Sequence, residues 1–110
     1  AVSPTRPLVA NVNFDSSNVT VIDVGTLKVL ETIPVGKNPR DISWSRDGRF
    51  AYTVNEDTNN VSVIDAATYK VTATIPIGAA PISIAVSPDG RRAYVSNKGS
   101  GTLTILELAG

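Results

Sequence analysis

The chain has 110 residues, with ten Lys/Arg balanced by ten Asp/Glu, so a zero net charge leaves no basic stripe for nucleic acid and no polybasic membrane patch. It contains no His, Cys or Met. The common donors for zinc, copper and haem iron are therefore missing, as are the imidazole and thiol of Ser-His-Asp and Cys-His catalysis. No protein-held metal, no cofactor and no disulfide is expected. Polar residues interrupt every apolar run well short of the roughly 18 residues a membrane-spanning helix needs, so no membrane insertion is expected. The opening Ala1-Val2-Ser3-Pro4 lacks an initiator Met, which fits either a removed signal peptide or a piece of a longer chain.

A repeat of 42 residues organises the sequence. Residues 3–38 align with residues 45–80 without a gap and match at 16 of 36 positions. Asp47-Gly48 returns as Asp89-Gly90, Tyr52 as Tyr94, and Pro39 as Pro81. The units are an incomplete one over 1–38, a complete one over 39–80 and an incomplete one over 81–110.

Leu8–Asn13 and the run from Val19 to Asp23 read as strands, with the polar segment Phe14–Asn18 between them as a loop. Lys28–Val35 is a third strand. Pro34 cannot donate to a ladder, so this strand must lie at an edge, and Pro76 repeats the constraint. In the complete unit, a strand through Ile42 and Trp44 turns at Ser45-Arg46-Asp47-Gly48, where Gly supplies the positive φ of a hairpin turn. Phe50–Val54, Val61–Asp65 and Tyr69–Ile77 follow as strands. The last unit supplies Ile82–Val86, Ala93–Ser96 and Leu103–Leu108. Four antiparallel strands per period of about forty residues predict all-β architecture of propeller blades, about two and a half per chain.

The motifs Ser87-Pro88-Asp89-Gly90, Ala93-Tyr94-Val95-Ser96-Asn97, Val61-Ser62-Val63-Ile64-Asp65 and Thr74-Ile75-Pro76-Ile77-Gly78 resemble the repeat of the YVTN-type β-propellers. Phe50-Ala51-Tyr52-Thr53-Val54-Asn55 is a near match to the tetrapeptide that names them. The resemblance implies a propeller and an extracytoplasmic location, and it spans binding proteins, surface-layer proteins and propellers similar to lactonases or haem reductases. It therefore implies a fold more sharply than a function. Such propellers close with several more blades than this chain holds. Three arrangements stay open: a fragment of a longer propeller, closure by self-association, or completion by a different chain.

Positions that repeat are explained by the blade, so those that do not repeat are the candidates for function. Lys37, Asn38, Arg40 and Asp41 stand where the next unit has Ala79, Ala80, Ile82 and Ser83. Lys37 and Arg40 are candidate donors to an anion or partner, with Asp41 expected to orient Arg40. The ordinary alternative is a solvated loop with a local ion pair. Asn55, Glu56 and Asp57 offer oxygens in the next loop, without any recognised calcium-loop spacing, and a solvated, hydrogen-bonded turn accounts for them better. Trp44 is expected to fill space between blades, and Asp47 and Asp89 to serve their turns. The functional expectation is a non-catalytic binding or scaffolding module whose partner is itself, the remaining blades, or a protein or glycan. The alternative is a portion of a propeller enzyme whose reactive residues lie outside this chain.

Overall fold

A computed structural model describes residues 1–108, so the last two residues of the unit expected over 81–110 lie outside the described residues. Among the described residues, ten strands form three antiparallel sheets. The first blade holds β1 (Leu8–Asn13), β2 (Asn18–Asp23) and β3 (Val29–Pro34). The second holds β4 (Pro39–Trp44), β5 (Phe50–Asn55), β6 (Asn60–Asp65) and β7 (Lys70–Pro76). The third holds β8 (Pro81–Val86), β9 (Arg92–Asn97) and β10 (Thr102–Glu107). The chain thus forms one four-stranded blade between two three-stranded ones. A single bridge from Val2 to Val9 stands where the inner strand of the first blade would run. Pro34 and Pro76 end β3 and β7, the outermost strands, which meets the constraint read from their missing N–H groups.

The period-two alternation of a strand gives each blade two apolar faces, and both need a neighbour. On β5, Ala51 packs toward the first blade, whereas Tyr52 and Val54 pack toward the third. Trp44 fills the first junction beside Leu8, Ala10 and Val21, and its indole N–H donates to the Ala1 carbonyl at 3.0 Å. Val54 and Val61 are both 0% exposed in the second junction, against Ile84, Ala93 and Val95.

The outward faces of the two end blades carry equivalent residues with nothing over them. Leu103, 58% exposed, is the counterpart of buried Val61, and Ile105, 54% exposed, is the counterpart of Val63. At the other end Leu27 and Val29 are the counterparts of Tyr69 and Val71, which pack against the first junction. The repeat also fixes the backbone. Ser17 and Asn59, Leu27 and Tyr69, Asn38 and Ala80, and Gly48 and Gly90 are four equivalent pairs with positive φ. Only the last pair is glycine, so three of the four sites place a side chain where L-residues are disfavoured, held there by surrounding hydrogen bonds.

The two members of the Val61/Leu103 pair should differ sharply in energy. Val61→Ala is expected to cost about 2–3 kcal/mol in a urea unfolding measurement, whereas Leu103→Ala in the separated chain costs below about 0.5 kcal/mol.

Candidate functional site

The four non-repeating residues lie at the end of the blades where chain passes from one blade to the next. Much of their backbone nevertheless repeats. The Lys37 and Asn38 carbonyls accept from Asp57 and Glu56 N–H at 3.2 and 3.0 Å, and the Ala79 and Ala80 carbonyls accept from Gly99 and Lys98 N–H, both at 2.9 Å. Asn38 is left-handed because this hand-over requires it, and its N–H donates to the Ser17 hydroxyl oxygen at 3.3 Å. Ala80 takes the same conformation and donates to Asn59 Oδ1 at 2.8 Å. Asn38 is thus part of the blade linkage, while the Lys37 side chain is exposed.

Arg40 sits in a bulge of β4, between the paired residues Pro39 and Asp41. The bulge re-aims its side chain, as bulges do. Its guanidinium lies 5.5 Å from the Phe14 ring centroid, in the corresponding loop of the first blade. Its Nε lies 3.0 Å from Glu56 Oε2, a buried oxygen without an aligned hydrogen bond, so the Arg40 charge is its main compensation. The structure brings Arg40 and Glu56 together across one loop end.

Asp41 does not orient Arg40, contrary to the sequence expectation. Its Oδ1 accepts from its neighbour Ile42 N–H at 2.9 Å, and its Oδ2 accepts from Ile84 N–H at 3.0 Å, on β8 of the third blade. This carboxylate is a strut between the innermost strands of two blades. The sequence carried no signal for it, because Asp41 finds its partner in backbone 43 residues away.

Asn55 also proves unavailable to a partner. It is fully buried, and its Nδ2 donates to Asn60 Oδ1 at 2.8 Å and Ser62 Oγ at 2.9 Å. Gly36 packs so closely against it that a Cβ there would come within 2.7 Å of Nδ2. Asn97 repeats the arrangement against Gly78, with Nδ2 donating to Thr104 Oγ1 at 2.7 Å. Asp57 is exposed beside them. Among the described residues no group of three or more His, Cys, Asp or Glu converges on a metal-sized space.

At the opposite end of the blades, Asp47 Oδ1 accepts from the Ser45 hydroxyl at 2.7 Å and from Arg49 N–H at 3.0 Å. Asp89 Oδ1 accepts from the Ser87 hydroxyl at 2.6 Å and from Arg91 N–H at 3.0 Å. The Arg49 N–H bond and then the Ser45 hydroxyl hold the Asp47 carboxyl below the usual Asp range. For Asp89 the Ser87 hydroxyl acts first and the Arg91 N–H second. Both carboxylates serve their turns, as the sequence reading expects.

Three stacked antiparallel blades, with β4 and β8 the inner strands of the second and third, define a segment of a β-propeller. The profile of the cytochrome D1 heme domain matches residues 5–109, and the chain belongs to that family. It is similar to hydrazine synthase of Kuenenia stuttgartiensis, at 30% identity and a TM-score of 0.92, over 96% of this chain and 31% of that one. It is also similar to dihydro-heme d1 dehydrogenase NirN, at 27% identity and a TM-score of 0.82, over 97% of this chain and 23% of that one. A putative 6-phosphogluconolactonase from Bacteroides uniformis shares the fold, with 18% identity and a TM-score of 0.87 over 99% of this chain and 35% of that one. No curated protein sequence matches the chain. The chain spans about a third or less of these structural relatives.

The residues present do not fit a haem iron. Protein axial ligands are His, Cys, Met or Tyr, and only Tyr occurs here. Tyr52 and Tyr94 lie on β5 and β9, and Tyr69 in the β6–β7 turn, so none lies on the inner strands β4 or β8.

Two measurements probe these roles. Asp41→Ala leaves the Ile84 N–H without its acceptor and is expected to cost about 1–3 kcal/mol by chemical denaturation. Because the Asp47 and Asp89 carboxyls are held low in the folded state, the stability they contribute is complete above the unfolded Asp value, near pH 4, and declines as pH falls through the lower folded values. The urea midpoint should therefore drop below about pH 4, and an Asp47→Asn/Asp89→Asn double variant should show a shallower drop.

Proposed function

We propose that this chain is a blade segment of a larger cytochrome-D1-type propeller and acts as a non-catalytic scaffold that presents loops for binding. The observation that carries this reading is the pair of uncovered apolar faces at its two ends, each built from counterparts of residues buried in, or packed against, its internal junctions. Further blades, from the same polypeptide, a second copy or another chain, are the partners these faces suit. The Lys37, Arg40, Glu56 and Asp57 side chains are the surface offered to a protein or glycan ligand.

A finer placement follows from the motif resemblance: the repeats are of the YVTN type, and the assembly works outside the cytoplasm. A second reading makes the chain one sector of a redox enzyme. The identities of 30% and 27% to hydrazine synthase and dihydro-heme d1 dehydrogenase favour it. Under that reading the axial ligand to the haem comes from residues outside these 110.

Light scattering separates the scaffold's requirements from a self-sufficient fold. The chain alone is expected to run above its monomer mass, and Leu103→Asp with Ile105→Asp to shift it toward the monomer. A stable monomer with the native sequence would refute the need for covered faces. Ferric haem added to the chain is expected to give no ligand-shifted Soret band; a stoichiometric shift would overturn both the scaffold reading and the placing of the axial ligand outside these 110 residues.

A further inference from the structure

The two blade junctions differ at the end opposite the loops of Lys37 and Asp57. At the first junction Thr5 closes the space, its hydroxyl donating to the Asp47 carbonyl at 3.3 Å and its side chain lying against Gly48. Pro4, Pro7 and Ala10 stand in that turn and its strand, and the turn's one cation, Arg6, takes the position of Gly48 and donates to the Ala66 carbonyl at 3.2 Å. The equivalent space at the second junction is open, a cavity of about 280 Å³. There Arg46, Arg49 and Tyr52 stand in place of Pro4, Pro7 and Ala10, and Phe50 in place of Leu8. Blade architecture alone does not demand these residues, because the first junction is built without them. The third blade repeats only part of the set, with Arg91 and Tyr94 but Pro88 at the position of Arg46.

The cavity's groups are unequally engaged. Asp47 and Asp89 line it too, each with its Oδ1 held by a Ser hydroxyl and a backbone N–H of its own turn, and the Arg49 charge also helps to hold the Asp47 carboxyl low. The Arg46 and Arg49 guanidiniums have no ion-pair or hydrogen-bond partner among the described residues. The Tyr52 hydroxyl likewise makes no hydrogen bond among them, and burial first, then the Asp47 charge, holds its pKa up, so it stays a donor. Both arginine side chains have a packing contact at the cavity. The stem of Arg46 crosses the junction onto Gly90, where a Cβ would lie 3.0 Å from Arg46 Cβ, and the Arg49 guanidinium rests 5.4 Å from the Phe50 ring centroid.

We propose that this cavity binds a small aromatic carboxylate. Its anion would sit between the Arg46 and Arg49 guanidiniums with help from the Tyr52 hydroxyl, and its ring against Phe50 and the Tyr52 ring. The volume lies just under the roughly 300 Å³ at which small-molecule sites begin, which suits a single-ring acid better than a larger ligand. The Phe50 and Tyr52 rings in the wall would be wasted on a bare inorganic ion.

The test is titration of the full chain with benzoate, followed by amide chemical shifts, beside benzylamine and inorganic phosphate. Benzoate is expected to saturate, with shifts confined to residues 45–52 and 89–90. Arg46→Ala with Arg49→Ala is expected to raise its Kd by about tenfold or more, with unchanged circular dichroism because both side chains are exposed. Tyr52→Phe gives a smaller rise and confirms the floor of the site. The assignment is overturned if benzoate fails to saturate or binds the double variant as tightly as the native chain. Benzylamine binding as tightly would remove the anion from the assignment, and phosphate binding as tightly would remove the ring; either result overturns it.

Discussion

A blade of this kind cannot bury itself. Alternation along β5 sends Ala51, Thr53 and Asn55 toward one neighbour and Tyr52 and Val54 toward the other, so every residue of the strand after Phe50 is buried only because blades flank it on both sides. At roughly 1.5–3 kcal/mol for each well-buried large apolar side chain, the junctions supply the cohesion, and the ladders within a sheet supply shape more than net energy. The architecture follows from that dependence. First strands crowd together at the axis, outer strands splay apart and can tolerate proline, and each end face of the chain remains a half-junction.

Polar groups inside the junctions obey the same economy of position. Asp41 uses one carboxylate oxygen on its own blade and the other on the next, which ties two inner strands where their backbones lie closest. Asn55 and Asn97 each satisfy their amide nitrogen within one blade and leave Oδ1 buried without a partner. At the third equivalent position Asn13 bonds its Nδ2 in the same way, to Thr20 Oγ1 at 2.7 Å, while its Oδ1 accepts from Asn11, so the inward amide is a property of the repeat and not a ligand site. Comparison between copies thus sorts frame from function in three dimensions as it does along the sequence, but with a stricter criterion, since it weighs contacts and not identities.

That difference explains what could be read without coordinates. Strand number, strand order and the edge placement of Pro34 and Pro76 follow from local pattern, and so do the turns of Asp47-Gly48 and Asp89-Gly90. The packing role of Trp44 was also legible, since a large residue replacing Val86 in a repeat must occupy inter-blade space. The candidate loop was legible only as a departure from the repeat. Its backbone turned out to be shared, with Ala80 in the same left-handed conformation as Asn38, which composition could not reveal. Arg40 and Asp41 are adjacent in sequence, yet a bulge sends one toward Phe14 and Glu56 while the other bonds to the next blade. The open second junction was invisible because it depends on what Thr5 fills elsewhere.

The hand-over between blades has a further consequence. The Lys37 and Asn38 carbonyls, like those of Ala79 and Ala80, grip the first two N–H groups of the following loop through main chain, while the Asn38 and Ala80 N–H groups are held by the side chains of Ser17 and Asn59 in the loop before. Phe14, Glu56 and Lys98 occupy one position in three successive loops: an aromatic, an acid and a base, mounted on a common frame. A surface held by carbonyls and amides is indifferent to the letters written on it. Substitutions there can redraw the charge around the rim of the ring one blade at a time, and specificity can drift while the junctions beneath remain unchanged.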